Sequence, residues 1–178
     1  SPLASKNIYA TGKFIHLLLQ YLPAQAADKR TQSAMIIARK FAAQLPAEII
    51  DKAIADALAV IENPQFEFLF ADGSLAEVPI TGNVEVAGKN ITVSGQIDRL
   101  YIGSDEVWIV DFKSNSLPPA SQQEIPDSYI RQLALYRLLM QKITPEKSVK
   151  CALLWTATAK LDVLSNALLD EWQTTSYI

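Results

Sequence analysis

The segments Gly95-Gln-Ile-Asp-Arg-Leu100 and Val107-Trp-Ile-Val-Asp-Phe-Lys113 decide the fold expected of this chain. Each is a short run rich in β-forming residues, and the turn residues Gly103-Ser-Asp105 lie between them. Together they predict a β-hairpin. Further β-rich runs come just before it: Phe66 to Phe70, Ala76 to Ile80 and Val84 to Val86, with Ile91 to Leu100 as the first hairpin strand. The turns predicted between these runs are Asp72-Gly73, Thr81-Gly82-Asn83 and Gly88-Lys89-Asn90. The central part of the chain is therefore predicted to form an antiparallel meander.

On the N-terminal side the period of the apolar residues changes from about 2 to about 3.6, which predicts three amphipathic helices. The apolar positions of these helices are Ile8, Ile15, Leu18, Leu19 and Leu22, then Met35, Ala38, Phe41, Ala42 and Leu45, and finally Ile50, Ala53, Ile54, Ala57, Leu58 and Ile61. The third helix is expected to start after Pro46 and to end at the Asn63-Pro64 pair.

On the C-terminal side the sequence predicts a helix from Ser128 to Lys142, with Asp127 or Ser128 as its N-cap, and then a buried strand from Val149 to Trp155. This order of strand, helix and strand suggests a right-handed parallel crossover. An edge strand at Lys160 to Leu164 and a last helix at Asn166 to Trp172 complete the expected elements.

The pattern as a whole predicts an α/β fold with a mixed sheet, in which residues 1–63 form a helical segment and residues 64–178 a mixed-sheet core. A length of 178 residues matches one ordinary domain. Cys151 is the only cysteine, which excludes a disulfide framework, a four-cysteine zinc site and a cysteine-ligated iron-sulfur cluster, and fits a reducing, cytoplasmic setting. No membrane span or signal peptide is expected, and the abrupt, Met-less start suggests a piece of a longer polypeptide.

The carboxylates of Asp98 and Asp111 and the ammonium of Lys113 are the residues most suited to chemistry. Because side chains alternate along a strand, Asp111 and Lys113 point the same way, while Phe112 points into the core. Phosphodiester hydrolysis needs oxygen ligands for Mg²⁺ or Mn²⁺ and a cation that stabilises the transition state. Asp-x-Lys alone is also what a solvated strand end contains, and the net charge of −3 argues against a protein that grips nucleic acid through a large basic field.

In order along the chain, Gly95-Gln-Ile-Asp-Arg99, Val110-Asp-Phe-Lys-Ser114 and Gln132-x-x-x-Tyr136 resemble the motif series of the RecB-family nucleases of the PD-(D/E)XK superfamily. The resemblance implies a restriction-endonuclease-like core. It also implies that Gln132 and Tyr136, on one helix face, contact the phosphate or the attacking water, and that Arg131 could add a phosphate contact.

Upstream of these motifs, Gly12-Lys-Phe-Ile-His16 resembles the first motif of the same nucleases, whose histidine is a metal ligand. The metal ligands implied are thus His16, Asp98 and Asp111, with Phe112 included in the set. The ion would be Mg²⁺, or Mn²⁺ because of the nitrogen ligand. Glu77 resembles a glutamate that often precedes the Gly-x-Ile-Asp strand in the family, but strand alternation alone makes it an exposed residue.

More narrowly, the order of motifs resembles the C-terminal nuclease domain of AddA-type proteins, which implies a DNA exonuclease that processes double-strand-break ends beside an AddB-type partner, in the cytoplasm and associated with the nucleoid. The chain contains no phosphate-binding loop, so ATP would serve only a missing motor domain. Two alternatives stay open. One is a structure-specific or restriction-type endonuclease with the same catalytic set, and the other is an inactive module that guides DNA or binds a partner.

Overall fold

The computed structural model describes residues 2–114 and 117–174, and it divides them into two compact units. Of these residues, one unit contains the chain up to Asp72 together with Phe112–Pro118 and Trp155–Lys160. The other contains Gly73–Asp111, Pro119–Leu154 and the chain from Leu161 onward. The elements belong to the mixed α/β class predicted from the sequence.

The first unit contains the three predicted helices, α1 (Pro2–Tyr21), α2 (Arg30–Phe41) and α3 (Ala47–Ile61). Their buried stripes meet in one apolar core, because each helix offers side chains at helical spacing. The core members are Phe14, Ile15, Leu18, Leu19, Leu22, Ala34, Ala38, Ala42, Leu45, Ala53, Ile54, Ala57, Val60 and Ile61. Burial of each large side chain contributes about 1.5–3 kcal/mol to this core.

Helix α2 does not present the large side chains predicted for its inner face. It buries Ala34 and Ala38, whereas Met35 is 39% and Phe41 48% exposed. Small residues let helix backbones approach closely, and α2 packs on both α1 and α3. The prediction for Met35 and Phe41 was therefore wrong because helical period alone does not tell which of two adjacent stripes faces a close neighbour.

The predicted strand from Phe66 to Phe70 is wrong, because this stretch is helical. A 3₁₀ turn, Pro64–Phe66, leads into the one-turn helix α4 (Glu67–Phe70). The side chain of Asn63 accepts a hydrogen bond from the backbone N–H of Gln65 at 2.9 Å and so caps the turn. Phe66 and Leu69, three residues apart, are the buried pair, as helical spacing requires.

Five strands form one sheet in the order β1–β2–β3–β4–β5. They are β1 (Leu75–Val86), β2 (Lys89–Ile102), β3 (Glu106–Lys113), β4 (Ser148–Trp155) and β5 (Lys160–Val163). The first three are antiparallel, as predicted for the meander. Helix α5 (Asp127–Ile143) lies between β3 and β4 in the sequence and packs on β1 and β2, and α6 (Asn166–Thr174) packs on α5.

Strand β1 runs without a break through Thr81-Gly82-Asn83, where the sequence predicted a turn. Gly82 serves the packing of α5 instead, since a Cβ at this position would lie only 2.8 Å from Cδ2 of Leu139. The turn between β1 and β2 consists of Ala87 and Gly88, which both have positive φ (49° and 75°). Val86 pairs with Lys89, so this is a two-residue hairpin with the backbone expected of a type I′ turn.

Helix α5 begins at Asp127, directly after Pro126. No side chain caps its first turn, so the predicted N-cap role of Asp127 or Ser128 is wrong. Asp127 lies in the first turn, where its negative charge interacts favourably with the helix dipole. In the described part of the chain, no helix is both long and apolar enough to span a bilayer.

Candidate active site

Three carboxylates lie in a row across three neighbouring strands of the sheet. In the pairing of β1 with β2, Ala76 faces Arg99 and Val78 faces Ile97, so Glu77 and Asp98 lie opposite each other between these pairs. In the pairing of β2 with β3, Arg99 faces Val110, and the same register places Asp98 opposite Asp111. Asp98 is thus the middle member of the row, and adjacent strands are about 4.8 Å apart.

The Glu77 backbone is in the left-handed region, with φ at 53° inside strand β1. Such a conformation is uncommon for a residue with a side chain, and it changes the direction in which that side chain leaves the strand. The side-chain amide of Gln96 donates a hydrogen bond to the Glu77 carbonyl at 3.0 Å. Carboxylate oxygens of Glu77 and Asp98 lie within 4.8 Å of one another.

Asp111 is buried, with only 7% of its surface exposed, although it carries a carboxylate. A charged group at a strand end is ordinarily solvated, because burial of a charge costs free energy unless polar or charged neighbours compensate it. Lys113 is two residues further along β3, half-buried, and on the same side of the strand by alternation. Phe112, between them, has a buried ring, so only its backbone carbonyl could be a metal ligand.

Arg99 is buried next to this row and donates a hydrogen bond to the hydroxyl of Ser74 at 3.3 Å. Burial lowers the pKa of its guanidinium to about 10, and the negative charge of Glu77 partly offsets that effect. Arg99 therefore still carries its positive charge at neutral pH and compensates part of the negative charge of Glu77.

Tyr136 and Gln132 occupy one face of α5, as predicted. The Tyr136 hydroxyl accepts hydrogen bonds from the backbone N–H of Gln96 at 3.2 Å and from the Gln132 side-chain amide at 3.4 Å. A Cβ on Gly95 would lie 1.9 Å from that hydroxyl, so only glycine leaves room for it. This places the tyrosine hydroxyl on the backbone of β2, two residues before Asp98.

His16 lies on α1, half-buried, with its ring edge-on to the ring of Phe112. The ring centroids are 5.7 Å apart and the planes make an angle of 75°. His16 thus packs against Phe112, the residue between Asp111 and Lys113 in the sequence. Arg131, by contrast, is exposed, with its guanidinium 6.0 Å from the centre of the Trp172 ring.

The carboxylate pair of Glu77 and Asp98 suits a hard divalent cation, which takes oxygen ligands at about 2.0–2.6 Å. Two oxygens no more than 4.8 Å apart can both lie within that distance of an ion placed midway between them. Glu77 is the residue that sequence reasoning left out of the ligand set, because alternation made it an exposed strand residue. The signal that could have found it is its position opposite Asp98 once the strands are paired.

Comparison with known proteins places the chain among the nucleases. A family model of the PD-(D/E)XK nuclease superfamily matches residues 3–174. A solved structure of a candidate exonuclease from Eubacterium rectale has a similar fold, with a TM-score of 0.51 and 15% identity. That similarity covers 86% of this chain but 62% of the other protein, so the chain spans less than two thirds of that protein's length.

A second solved structure, SSO0001, gives a TM-score of 0.38 at 12% identity over 92% of this chain and 81% of the other, which is too low to carry an argument. None of the curated proteins matches. The family match covers nearly the whole chain, and the mixed α/β fold is consistent with it. This chain belongs to the PD-(D/E)XK nuclease superfamily.

Proposed function

We propose that this chain is a divalent-metal-dependent deoxyribonuclease domain of the RecB type, and that it degrades DNA ends as part of an AddA-like helicase-nuclease in double-strand-break repair. The observation that carries the proposal is the row of Glu77, Asp98 and Asp111 across β1, β2 and β3, with Lys113 two residues beyond the last. A solvated sheet edge has no need to concentrate three carboxylates or to bury one of them.

The metal ligands we propose are Asp98, Asp111 and His16, together with the backbone carbonyl of Phe112 and, added from the structure, Glu77. This set offers several oxygens and one imidazole nitrogen, which suits Mg²⁺ or Mn²⁺. When bound, such an ion stabilises charge on the phosphate and makes water easier to deprotonate near neutral pH. Arg99, which is buried and interacts with the charge of Glu77, would limit the repulsion between that carboxylate and its neighbours before the ion binds.

Lys113 would provide the cation that faces the scissile phosphate. Alternation along β3 directs the Lys113 side chain to the same side of the strand as Asp111, where its ammonium would offset phosphate charge and orient the attacking water. Gln132 and Tyr136 would not bind the metal directly. The Tyr136 hydroxyl accepts two hydrogen bonds and keeps its own proton to donate, so it can hold β2 in place and still contact a water or phosphate oxygen.

The association with a helicase motor and a partner subunit is supported by the order of the motifs along the chain. ATP hydrolysis would reside in a motor outside these residues, and an AddB-type subunit would be the partner. Double-stranded ends and the single strands produced from them would be the DNA substrates, in the cytoplasm and close to the nucleoid.

The test compares cleavage of end-labelled linear DNA and of circular single-stranded DNA, with Mg²⁺, with Mn²⁺ and with chelator. We expect metal-dependent loss of linear DNA, sparing of circles, and a loss of activity of about 100-fold or more in Asp111→Ala, the scale seen when one group that stabilises a transition state is removed.

Asp105→Ala is the matched control, since Asp105 is an exposed aspartate in the turn of the same hairpin and its carboxylate accepts a hydrogen bond from the adjacent Ser104 hydroxyl. It should cleave like the unchanged chain. Equal activity in Asp111→Ala would refute the catalytic assignment. Cleavage of circles as fast as linear DNA would favour an endonuclease. If calorimetry finds no metal binding and no DNA is cut, the chain is a guiding or partner-binding module instead.

A further inference from the structure

Helix α1 carries a row of side chains, two of which, Tyr9 and Lys13, have no role in the proposed chemistry. Tyr9 is 65% exposed, and the ammonium of Lys13 lies 5.0 Å from the centre of its ring. His16 follows one turn later. Positions 9, 13 and 16 fall within about 60° of one another on a helix of 3.6 residues per turn, so they form one stripe. We call Tyr9, Lys13 and His16 the α1 stripe.

The charge of the surrounding sequence is unlike that of the chain as a whole. Residues 2–41 contain six Lys or Arg and a single acidic residue, Asp28, which gives +5. The rest of the chain contains the other ten basic and eighteen acidic residues, which gives −8 and accounts for the total of −3. Helix α1 itself has no Asp or Glu. The α1 stripe thus lies in the part of the chain that attracts polyanions.

An exposed aromatic ring beside a cation is the pairing with which proteins hold single-stranded nucleic acid. Bases stack on the ring without regard to sequence, and the cation binds the backbone phosphate. Burial of a tyrosine on this side of α1 is not needed for folding, since the core stripe of α1 consists of Phe14, Ile15, Leu18 and Leu19. The exposure of Tyr9 is therefore not explained by packing.

We propose that the α1 stripe is a binding site for single-stranded DNA, in which a base stacks on Tyr9, Lys13 binds a phosphate, and the strand continues toward His16. This rests on the nuclease function proposed above and names a substrate-binding surface for it. Tyr9 and His16 are seven residues apart, about 10 Å along the helix axis. His16 packs on Phe112, next to the proposed catalytic Asp111 and Lys113 in sequence.

The test measures the affinity of the chain for a short, fluorescently labelled oligothymidylate by anisotropy. Chelator is present throughout, so that no DNA is cut and the result does not depend on catalysis. We expect Tyr9→Ala to weaken binding about tenfold, as for loss of one stacking ring, and Tyr9→Phe to retain it because the ring remains. Lys13→Ala should lower the slope of log affinity against log salt concentration by about 0.7, the contribution of one phosphate contact.

Two variants provide matched controls. Tyr21→Ala removes another tyrosine of α1, 51% exposed, which helical periodicity places on a different side of the helix. Lys40→Ala removes the lysine of a similar pair on α2, where the ammonium lies 5.1 Å from the Phe41 ring. Both should bind the oligonucleotide like the unchanged chain, and circular dichroism checks that every variant is folded.

Equal weakening by Tyr9→Ala and Tyr21→Ala would overturn the stripe, and equal weakening by Lys13→Ala and Lys40→Ala would leave only a general charge effect. Loss of binding in Tyr9→Phe would overturn the stacking role. If the chain binds no oligonucleotide at all, the inference fails. The cleavage assay with Asp111→Ala is read separately, so metal-dependent cleavage can stand while the stripe fails.

Discussion

Tyr136 and Gly95 form the most closely fitted contact near the proposed site. The tyrosine hydroxyl occupies the space that a side chain at position 95 would fill, and it accepts the hydrogen bond of the next backbone N–H, that of Gln96. Two residues later the strand presents Asp98. The position of that carboxylate thus depends on a contact between α5 and the strand backbone, and the contact can be tested one atom at a time.

Gly95→Ala should lower the free energy of unfolding by about 2 kcal/mol or more, because the added methyl group forces the ring away and breaks the bond to Gln96. Tyr136→Phe alone should cost about 1 kcal/mol. The double variant should be more stable than the sum of the two losses predicts, since Phe removes the atom that the methyl group meets first. Urea denaturation measures the free energy of unfolding of all three variants, and Ser94→Ala, at an exposed neighbouring position, is the control. Additive losses would contradict the described contact.

Asp98, Asp111 and Lys113 could be assigned a role from the sequence because they follow strong strand signals, whereas Glu77 was noted only for its resemblance to a family glutamate and was left out of the ligand set. The sequence interpretation placed turns at residues 81–83 and 88–90, which broke β1 and hid the register. With the two-residue turn at Ala87 and Gly88, counting back from the pair Val86 and Lys89 brings Glu77 opposite Asp98. The left-handed backbone of Glu77 has no sequence signature, so the place of Glu77 in the row could be recognised only from the structure.

At the scale of elements, the helices and strands with long sequence patterns were the ones predicted correctly. Helices α3 and α5 and strand β4 occur close to the expected bounds because many residues contribute to each pattern. The failures are local. The run Phe66 to Phe70 was too short to distinguish strand from helix, and Gly82 was interpreted as a turn residue although it serves the close approach of Leu139.

The β1–β2 hairpin can be strengthened at one position. Ala87 has φ at 49°, which costs about 1–2 kcal/mol for a residue with a Cβ, whereas asparagine tolerates this conformation and favours the first position of a type I′ turn. Ala87→Asn should therefore raise the free energy of unfolding by about 0.5 kcal/mol or more. Ala71→Asn, at an exposed position with φ at −68°, is the control and should not stabilise. A loss of stability in Ala87→Asn would show that the turn is of another type.

At the scale of the whole molecule, Cys151 is a reporter of unfolding. It is fully buried in β4, and burial raises the pKa of its thiol to about 12, an effect that the positive charge of Arg137 only partly offsets. The native thiol should stay protonated and react with a thiol reagent at pH 8 only as fast as the protein opens, and the denatured chain should react at once.

The same shift predicts how stability depends on pH. The folded state holds this proton more tightly than the unfolded state, whose pKa is near 9.0, so the thiol's contribution is complete below pH 9 and is lost as pH rises toward 12. Cys151→Ala should show a smaller loss of stability over that range in urea titrations. Rapid labelling of the native protein at pH 8 would mean that β4 is accessible without unfolding.

The backbone of Glu77 has a consequence for any attempt to optimise this protein. A residue in the left-handed region costs about 1–3 kcal/mol unless it is glycine, and strand β1 tolerates that penalty in its interior. Selection for thermal stability alone would favour glycine at position 77. The same substitution would remove a carboxylate from the row. Heat tolerance and the metal binding proposed for Glu77 are therefore opposed at this position, and a hyperstable variant of the chain should be checked for a substitution there before its activity is interpreted.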